Sequence, residues 1–390
     1  MKIIHIVGAR PNFMKAAPVI EALRGEPGVQ QTLVHTGQHY DASMSQVFFD
    51  QLGMPRPDYN LEVGSKTHAR QTADIMTRFE EVILREKPDL LVVYGDVNST
   101  IATALVAVKM GIRVAHVEAG LRSGDRTMPE EINRVLTDAI ADILFVSEPS
   151  GEVNLLREGV AREKIHLVGN SMIDTLLKHQ KKAEETDILD RLGLACNGGK
   201  GGPNGAPGAH PVREFILLTL HRPSNVDSSE GFRPILEAVR EIGKNRLVIF
   251  PCHPRTRQRI RDFGLDSEFA FCEGNGASHP GESKILCTAP LGYLDFVHLM
   301  AKANLVLTDS GGVQEETTIL GVPCLTLREN TERPATITHG TNVLAGSRRE
   351  TIIEAHHKLV SLKRPTARPP LWDGMAGKRI AAILANQHSR

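Results

Sequence analysis

The chain is 390 residues long, which at roughly 150 residues per domain favours two domains. Lys and Arg number 46, as do Asp and Glu, so the formal net charge is zero; this excludes the positive surplus on which nucleic-acid coats and polybasic membrane-surface proteins depend. Hydrophobic residues at 41% and charged ones at 24% are ordinary globular composition, and 4% aromatic residues are too few for base-stacking platforms.

Met1–Val7 loosely imitates a leader. Its apolar stretch is too short and Arg10 and Lys15 follow at once, so Lys2–Val7 reads as a first strand. Further strands read at Thr32–His35, Leu90–Tyr94, Arg113–Val117 and Ile143–Val146, with helical periodicity at Phe13–Leu23, Ala69–Glu86 and Ile101–Met110. Near-continuous apolar strands separated by helices predict a parallel sheet covered on both faces. Between residues 196 and 210 lies a Gly- and Pro-rich stretch, expected to be a flexible surface insertion. The pattern then restarts, with strands at Phe215–Leu220, Leu247–Phe250, Leu305–Thr308 and Cys324–Leu327. The expected class is α/β: two Rossmann-like, doubly wound domains, with ligands beyond the carboxyl ends of the strands. No run approaches the ~18 apolar residues of a membrane span. The cysteines are odd in number and hold no C-x-x-C pair, which argues against a disulfide framework or zinc ribbon and for a cytoplasmic protein.

The sharpest segments fall where a strand ends and a helix begins. Gly8-Ala9-Arg10-Pro11 suits a tight turn into a helix whose N-terminus attracts an anion, with Arg10 and Lys15 adding positive charge. It is not G-x-G-x-x-G, which disfavours a nicotinamide dinucleotide. Asp96 follows the Leu90 strand, Glu118 the Arg113 strand, and Met128-Pro129-Glu130-Glu131 opens a helix. By themselves these carboxylates could cap helices or complement helix dipoles. Asp96, Glu118 and Glu130 nevertheless project at one rim of one sheet, where crowding is expected to raise one another's pKa and supply both an acid and a base. In the second half, His221 and His253 stand at strand ends. Asp309-Ser310-Gly311-Gly312 brings small residues to a helix N-terminus suited to phosphate, and Glu316, one turn on, suits a ribose diol. Arg333 adds a cation.

Taken together, Gly8–Lys15, Thr36–His39, Gly95–Thr100, His116–Ser123, Pro129–Arg134, His221–Asn225, Asp309–Glu316 and Glu332–Pro334 resemble the non-hydrolysing UDP-N-acetylglucosamine 2-epimerases along the whole chain. The resemblance implies a GT-B-like fold with a UDP-sugar in the cleft between the domains. These are expected at 1–170, carrying the carboxylates, and at 171–374, binding UDP, with a terminal helix at 375–387 returning to the first. It also implies a homodimer and no cofactor. By motif, Asp96, Glu118, Glu130 and His221 become catalytic, while Arg10, Lys15, His253, Ser310, Gly311, Gly312, Glu316 and Arg333 become substrate contacts. Gln38, His39 and Gln46 become candidate regulatory residues, in a segment longer than that of substrate-activated members. The implied reaction is reversible C2 epimerisation of UDP-N-acetylglucosamine to UDP-N-acetylmannosamine through elimination of UDP and re-addition to a 2-acetamidoglucal. It would supply mannosamine-type sugars for surface polysaccharide. The rivals are a hydrolysing 2-epimerase, an epimerase of a UDP-diacetamido-uronate, a GT-B glycosyltransferase and a non-catalytic sugar-nucleotide binder.

Overall fold

Runs such as Leu90–Tyr94 bury every residue, as strands covered on both faces must. A computed structural model describes residues 1–38, 49, 51–195, 212–272, 285–361 and 368–386. It divides into two compact units, each built on a seven-stranded parallel sheet. The 196–210 stretch, His39, Gln46 and Gln387 lie outside the described residues.

The first unit comprises residues 1–179, 332–335 and 369–390. Its strands are β1 (Lys2–Val7), β2 (Gln30–His35), β3 (Tyr59–Asn60), β4 (Leu90–Tyr94), β5 (Arg113–Ala119), β6 (Ile143–Val146) and β7 (Ile165–Leu167), in the order β3-β2-β1-β4-β5-β6-β7. Helices α1 (Arg10–Leu23), α2 (His68–Glu86), α3 (Asn98–Lys109), α4 (Pro129–Ile140) and α5 (Pro149–Arg157) connect them, and α6 (Ser171–Glu184) follows β7 and runs on into the second unit. One core layer joins Ile4, Ile6, Leu91 and Val93 of the sheet to Ile75, Phe79 and Ala104 of the helices. The strand order reverses between β1 and β4, the position at which such sheets bind ligands. There Gly8 passes so close to α3 that a Cβ would lie 2.2 Å from Ser99 Oγ. Asn12 ties the two strand ends together, accepting from the amides of Gly8 and Ala9 and donating to the Tyr94 carbonyl at 2.7 Å.

The second unit comprises residues 180–331 and 336–368. Its strands β8 (Phe215–Thr219), β9 (Leu247–Pro251), β10 (Phe269–Phe271), β11 (Ile285–Thr288), β12 (Leu305–Thr308), β13 (Cys324–Thr326) and β14 (Asn342–Leu344) run β10-β11-β9-β8-β12-β13-β14. The longer helices are α7 (Ser229–Ile242), α8 (Pro254–Asp262), α9 (Tyr293–Lys302), α10 (Gly311–Leu320) and α11 (Arg349–Ser361). Here the reversal falls between β8 and β12.

Back in the first unit, α12 (Ala376–Asn386) packs on α1, Gly377 lying against the Pro18 backbone. Asp174 of α6 caps it, accepting from the amides of Ala376 at 3.1 Å and Gly377 at 2.7 Å. Burial pushes the Asp174 carboxyl up to about 6 despite those donors. Among the described residues no helix is long and apolar enough to cross a membrane.

Candidate active site

In the first unit, α1, the loop after β4, the end of β5 and α4 converge with the 332–335 segment on a buried cluster of charges. Lys15 stands one turn beyond Asn12 on α1, and its Nζ donates to Glu118 Oε1 at 2.6 Å, both side chains being 5% exposed. Arg333, from the 332–335 segment, reaches the same oxygen at 3.4 Å. Glu118 Oε2 is buried with no hydrogen-bond partner among the described residues. Arg134, on α4, donates to Asp96 through Nη2 and to Glu131 Oε2 through Nη1 at 2.5 Å. Gly95, with φ +63°, lets the chain turn out of β4 beneath Lys15: a Cβ there would lie 2.8 Å from Nζ.

Electrostatically this differs from the mutual repulsion expected from the sequence. Burial pushes the Asp96 carboxyl up, but Arg134, Lys15 and Arg333 more than offset it and hold the group below the usual carboxylate range. Asp96 is therefore ionised at neutral pH, a state suited to a base. The contrasting group is Glu148, at the start of α5. Burial pushes its carboxyl up although the Ser150 hydroxyl, the Ala335 amide and Arg333 oppose the shift, and Glu118 adds to it.

The second unit places a His–carboxylate pair at its own reversal point. His221 Nδ1 lies 2.7 Å from Asp309 Oδ1; the His221 side chain is 59% exposed while Asp309 is fully buried. Asp309 also accepts from the amides of His221 and Arg222 and from Asn225 Nδ2. Burial raises its carboxyl, yet His221 and these donors bring it below the usual range. The buried carboxylate thus fixes the imidazole plane at the mouth of the sheet. Ser310 stands at the N-cap of α10, with Gly311 and Gly312 in its first turn. Glu316 is buried one turn further, its Oε1 accepting from the Tyr293 hydroxyl at 3.2 Å. A helix N-terminus built from small residues, followed by an inward carboxylate, can take an anion and an adjoining diol.

The family model for UDP-N-acetylglucosamine 2-epimerase matches residues 21–385. The chain belongs to that family. It is 43% identical over 388 residues to the UDP-N-acetylglucosamine 2-epimerase of Methanocaldococcus jannaschii, covering 98% of this chain and 99% of the relative. The crystal structure of that archaeal epimerase in complex with UDP-GlcNAc and UDP superposes with a TM-score of 0.86 at 42% identity, covering 99% of this chain and all of the other. The UDP-2,3-diacetamido-2,3-dideoxy-D-glucuronate 2-epimerase of Pseudomonas aeruginosa is 41% identical over 388 residues, covering 99% of each. The architecture is accordingly the two-domain, GT-B-like α/β fold of the 2-epimerases.

Of the residues singled out in the epimerase sequence, Lys15, Asp96, Glu118 and Arg333 come together in the first unit. Glu130 sits half-buried in the first turn of α4, its side chain making no hydrogen bond or ion pair with another described residue. Arg10 is exposed at the start of α1. Gln38 is buried, its Oε1 accepting from Ser99 Oγ at 2.7 Å. In the second unit His221, Ser310, Gly311, Gly312 and Glu316 share one sheet rim, and His253 is exposed at the N-cap of α8. Sequence reasoning passed over Arg134, Glu131, Glu148, Asp309 and Tyr293. Arg134 and Asp309 stood inside the motifs named above, but Asp96 and His221, with which they pair, lie 38 and 88 residues away. Glu148 precedes a proline and reads as an ordinary helix cap, and Tyr293 carries no local signal.

Proposed function

We propose that this chain interconverts UDP-N-acetylglucosamine and UDP-N-acetylmannosamine without net hydrolysis. The observation that carries the reading is the buried first-unit cluster, in which Asp96 pairs with Arg134, and Glu118 with Lys15 and Arg333. The C2 proton of a hexosamine has no adjacent carbonyl and is not acidic. If the C1–O bond to UDP breaks in concert, positive charge grows at C1 and the C2 proton becomes removable by a carboxylate. The electron pair of the C2–H bond forms the C1–C2 double bond, and the pair of the C1–O bond leaves with UDP. The products are 2-acetamidoglucal, UDP and a protonated carboxyl. Delivery of a proton to the other face of C2, with return of UDP to C1, gives the epimer. Asp96, Glu118 and Glu130 form the proton-handling group. His221, held by Asp309, assists UDP departure, and Ser310, Gly311 and Gly312 stabilise the diphosphate charge as it develops. Glu316 takes the ribose hydroxyls, while Arg10, Lys15, His253 and Arg333 complete the ligand contacts.

The reaction requires no redox cofactor and feeds surface polysaccharide from the cytoplasm. We further propose a homodimer, supported by Ile132 and Leu136, exposed one turn apart on α4, and exposed Val108 on α3. Light scattering giving a monomer mass at micromolar concentration would remove that part. Phosphorus NMR of a UDP-GlcNAc incubation tests the chemistry: a stable mixture of two nucleotide sugars supports it, and steadily accumulating UDP identifies hydrolysis instead. The Pseudomonas relative makes a UDP-diacetamido-uronate the second substrate to assay. Faster turnover of that sugar would replace the plain hexosamine.

A further inference from the structure

Glu118 has φ +76°, the left-handed region that side chains other than glycine rarely adopt, and the β5–β6 register slips between Val117 and Ala119. One buried side chain grips β5 on both sides of this residue. Asp138 of α4 takes His116 Nδ1 at 2.7 Å through Oδ1 and the Gly120 amide at 3.0 Å through Oδ2, two residues before and two after Glu118. Arg122 Nη1 donates to the same Oδ2 at 2.7 Å. The other ring nitrogen, His116 Nε2, lies 2.8 Å from the carbonyl of Gly95, which can only accept. The ring is therefore held at both nitrogens, by the Asp138 carboxylate on one side and the Gly95 carbonyl on the other. The same pair thus fixes the bulge that presents Glu118 and the carbonyl that precedes Asp96. Neither side chain is exposed, His116 at 0% and Asp138 at 2%.

We propose that Asp138 and His116 are positioning residues, forming a clasp that imposes the left-handed backbone on Glu118 and so aims its carboxylate at Lys15 and Arg333. A bulge intrinsic to β5 is the competing explanation, in which the buried ion pair adds stability alone. Backbone strain persists only where the surroundings over-determine it, and two bonds from one carboxylate to residues 116 and 120 are such a constraint.

The test separates geometry from catalysis. Melting temperatures of Glu118→Gly and Glu118→Ala are compared in the otherwise native chain and again together with Asp138→Asn. With the clasp intact, glycine should melt about 2–4 °C above alanine, because it accepts positive φ without strain. With Asp138→Asn the gap should vanish or reverse, since alanine is the better residue once φ is free to become negative. An unchanged gap would overturn the proposal. If Asp138→Asn does not fold, His116→Gln, which keeps a donor for the Gly95 carbonyl, carries the same comparison. The kinetic arm rests on the epimerase reading: Asp138→Asn alone should lower kcat at least tenfold with KM and UDP affinity within twofold of native. Native kcat would also overturn the positioning role. The melting arm needs no substrate, so failure of the epimerase reading would leave it intact.

Discussion

Replacing Lys15 by Met should be costly because it unpairs a charge that the fold has already buried. Lys15 Nζ and Glu118 Oε1 are 2.6 Å apart at 5% exposure each. Breaking such a pair from one side typically costs about 3–5 kcal/mol. Arg333 remains 3.4 Å from Glu118, so the lower end applies, about 3 kcal/mol, although Lys15 is the nearer cation and carries more than half of the attraction. For a unit of this size that corresponds to a fall in Tm of about 6–12 °C. Lys15 is also among the cations that hold Asp96 below its ordinary range. A carboxyl depressed on folding contributes stability above its unfolded pKa, near 3.9, and loses that contribution as pH falls through the folded value. The gap between native protein and Lys15→Met should therefore be full above about pH 5 and narrow below about pH 4. Thermal melts at pH 7.5, 5.5 and 4 read both effects. Adding Glu118→Gln should recover part of the loss, because no unpaired charge then stays buried. A Tm within 2 °C of native at every pH would refute the reasoning.

Asp96→Asn, Glu118→Gln and Glu130→Gln should each lower kcat by about 10²–10⁴ while calorimetry finds UDP affinity largely retained; joint loss of UDP binding would assign them a structural role. Glu316→Ala should weaken UDP binding at least tenfold, and Tyr293→Phe by less, since it removes only the donor at 3.2 Å that steadies the carboxylate; native affinity in Glu316→Ala would displace the ribose from this position. Saturation by UDP-GlcNAc should be hyperbolic, and the reverse reaction should start without added UDP-GlcNAc, because the resemblance implies a 38–46 segment longer than that of substrate-activated members. A lag abolished by trace UDP-GlcNAc would contradict this.

Much of the architecture was legible wherever a strand is long and buried on both faces. Lys2–Val7, Leu90–Tyr94, Ile143–Val146 and Leu305–Thr308 occur with the bounds read from the apolar runs. The strands at Tyr59–Asn60, Ile165–Leu167, Phe269–Phe271 and Asn342–Leu344 were passed over, since two or three residues cannot display a period. Helix α3 was read from Ile101, whereas it begins at Asn98. Its polar first turn reads as a loop, but Asn98, Ser99 and Thr100 are buried, Thr100 Oγ1 donating to the Tyr94 carbonyl at 3.0 Å. The carboxylates of the site were legible at strand ends and a helix start, and Lys15 and Arg333 as cations, but which cation pairs with which carboxylate was not. Arg134 and Arg333 reach Asp96 and Glu118 from 38 and 215 residues away, a pairing that only the fold creates. The left-handed Glu118 was equally hidden, because nothing in His116–Ser123 marks the bulge, and the strand runs two residues beyond its expected end at Val117.

Proton NMR of UDP-GlcNAc incubated with the protein in D2O reads the proposed chemistry at the reacting carbon itself. Removal of the C2 proton by a carboxylate and its return from solvent predict that deuterium enters C2 as the manno epimer appears, with both sugars still attached to UDP. A manno epimer that retains its original C2 proton, or a substrate that comes back unexchanged and unepimerised, would contradict the assignment of Asp96, Glu118 and Glu130 as the proton-handling group.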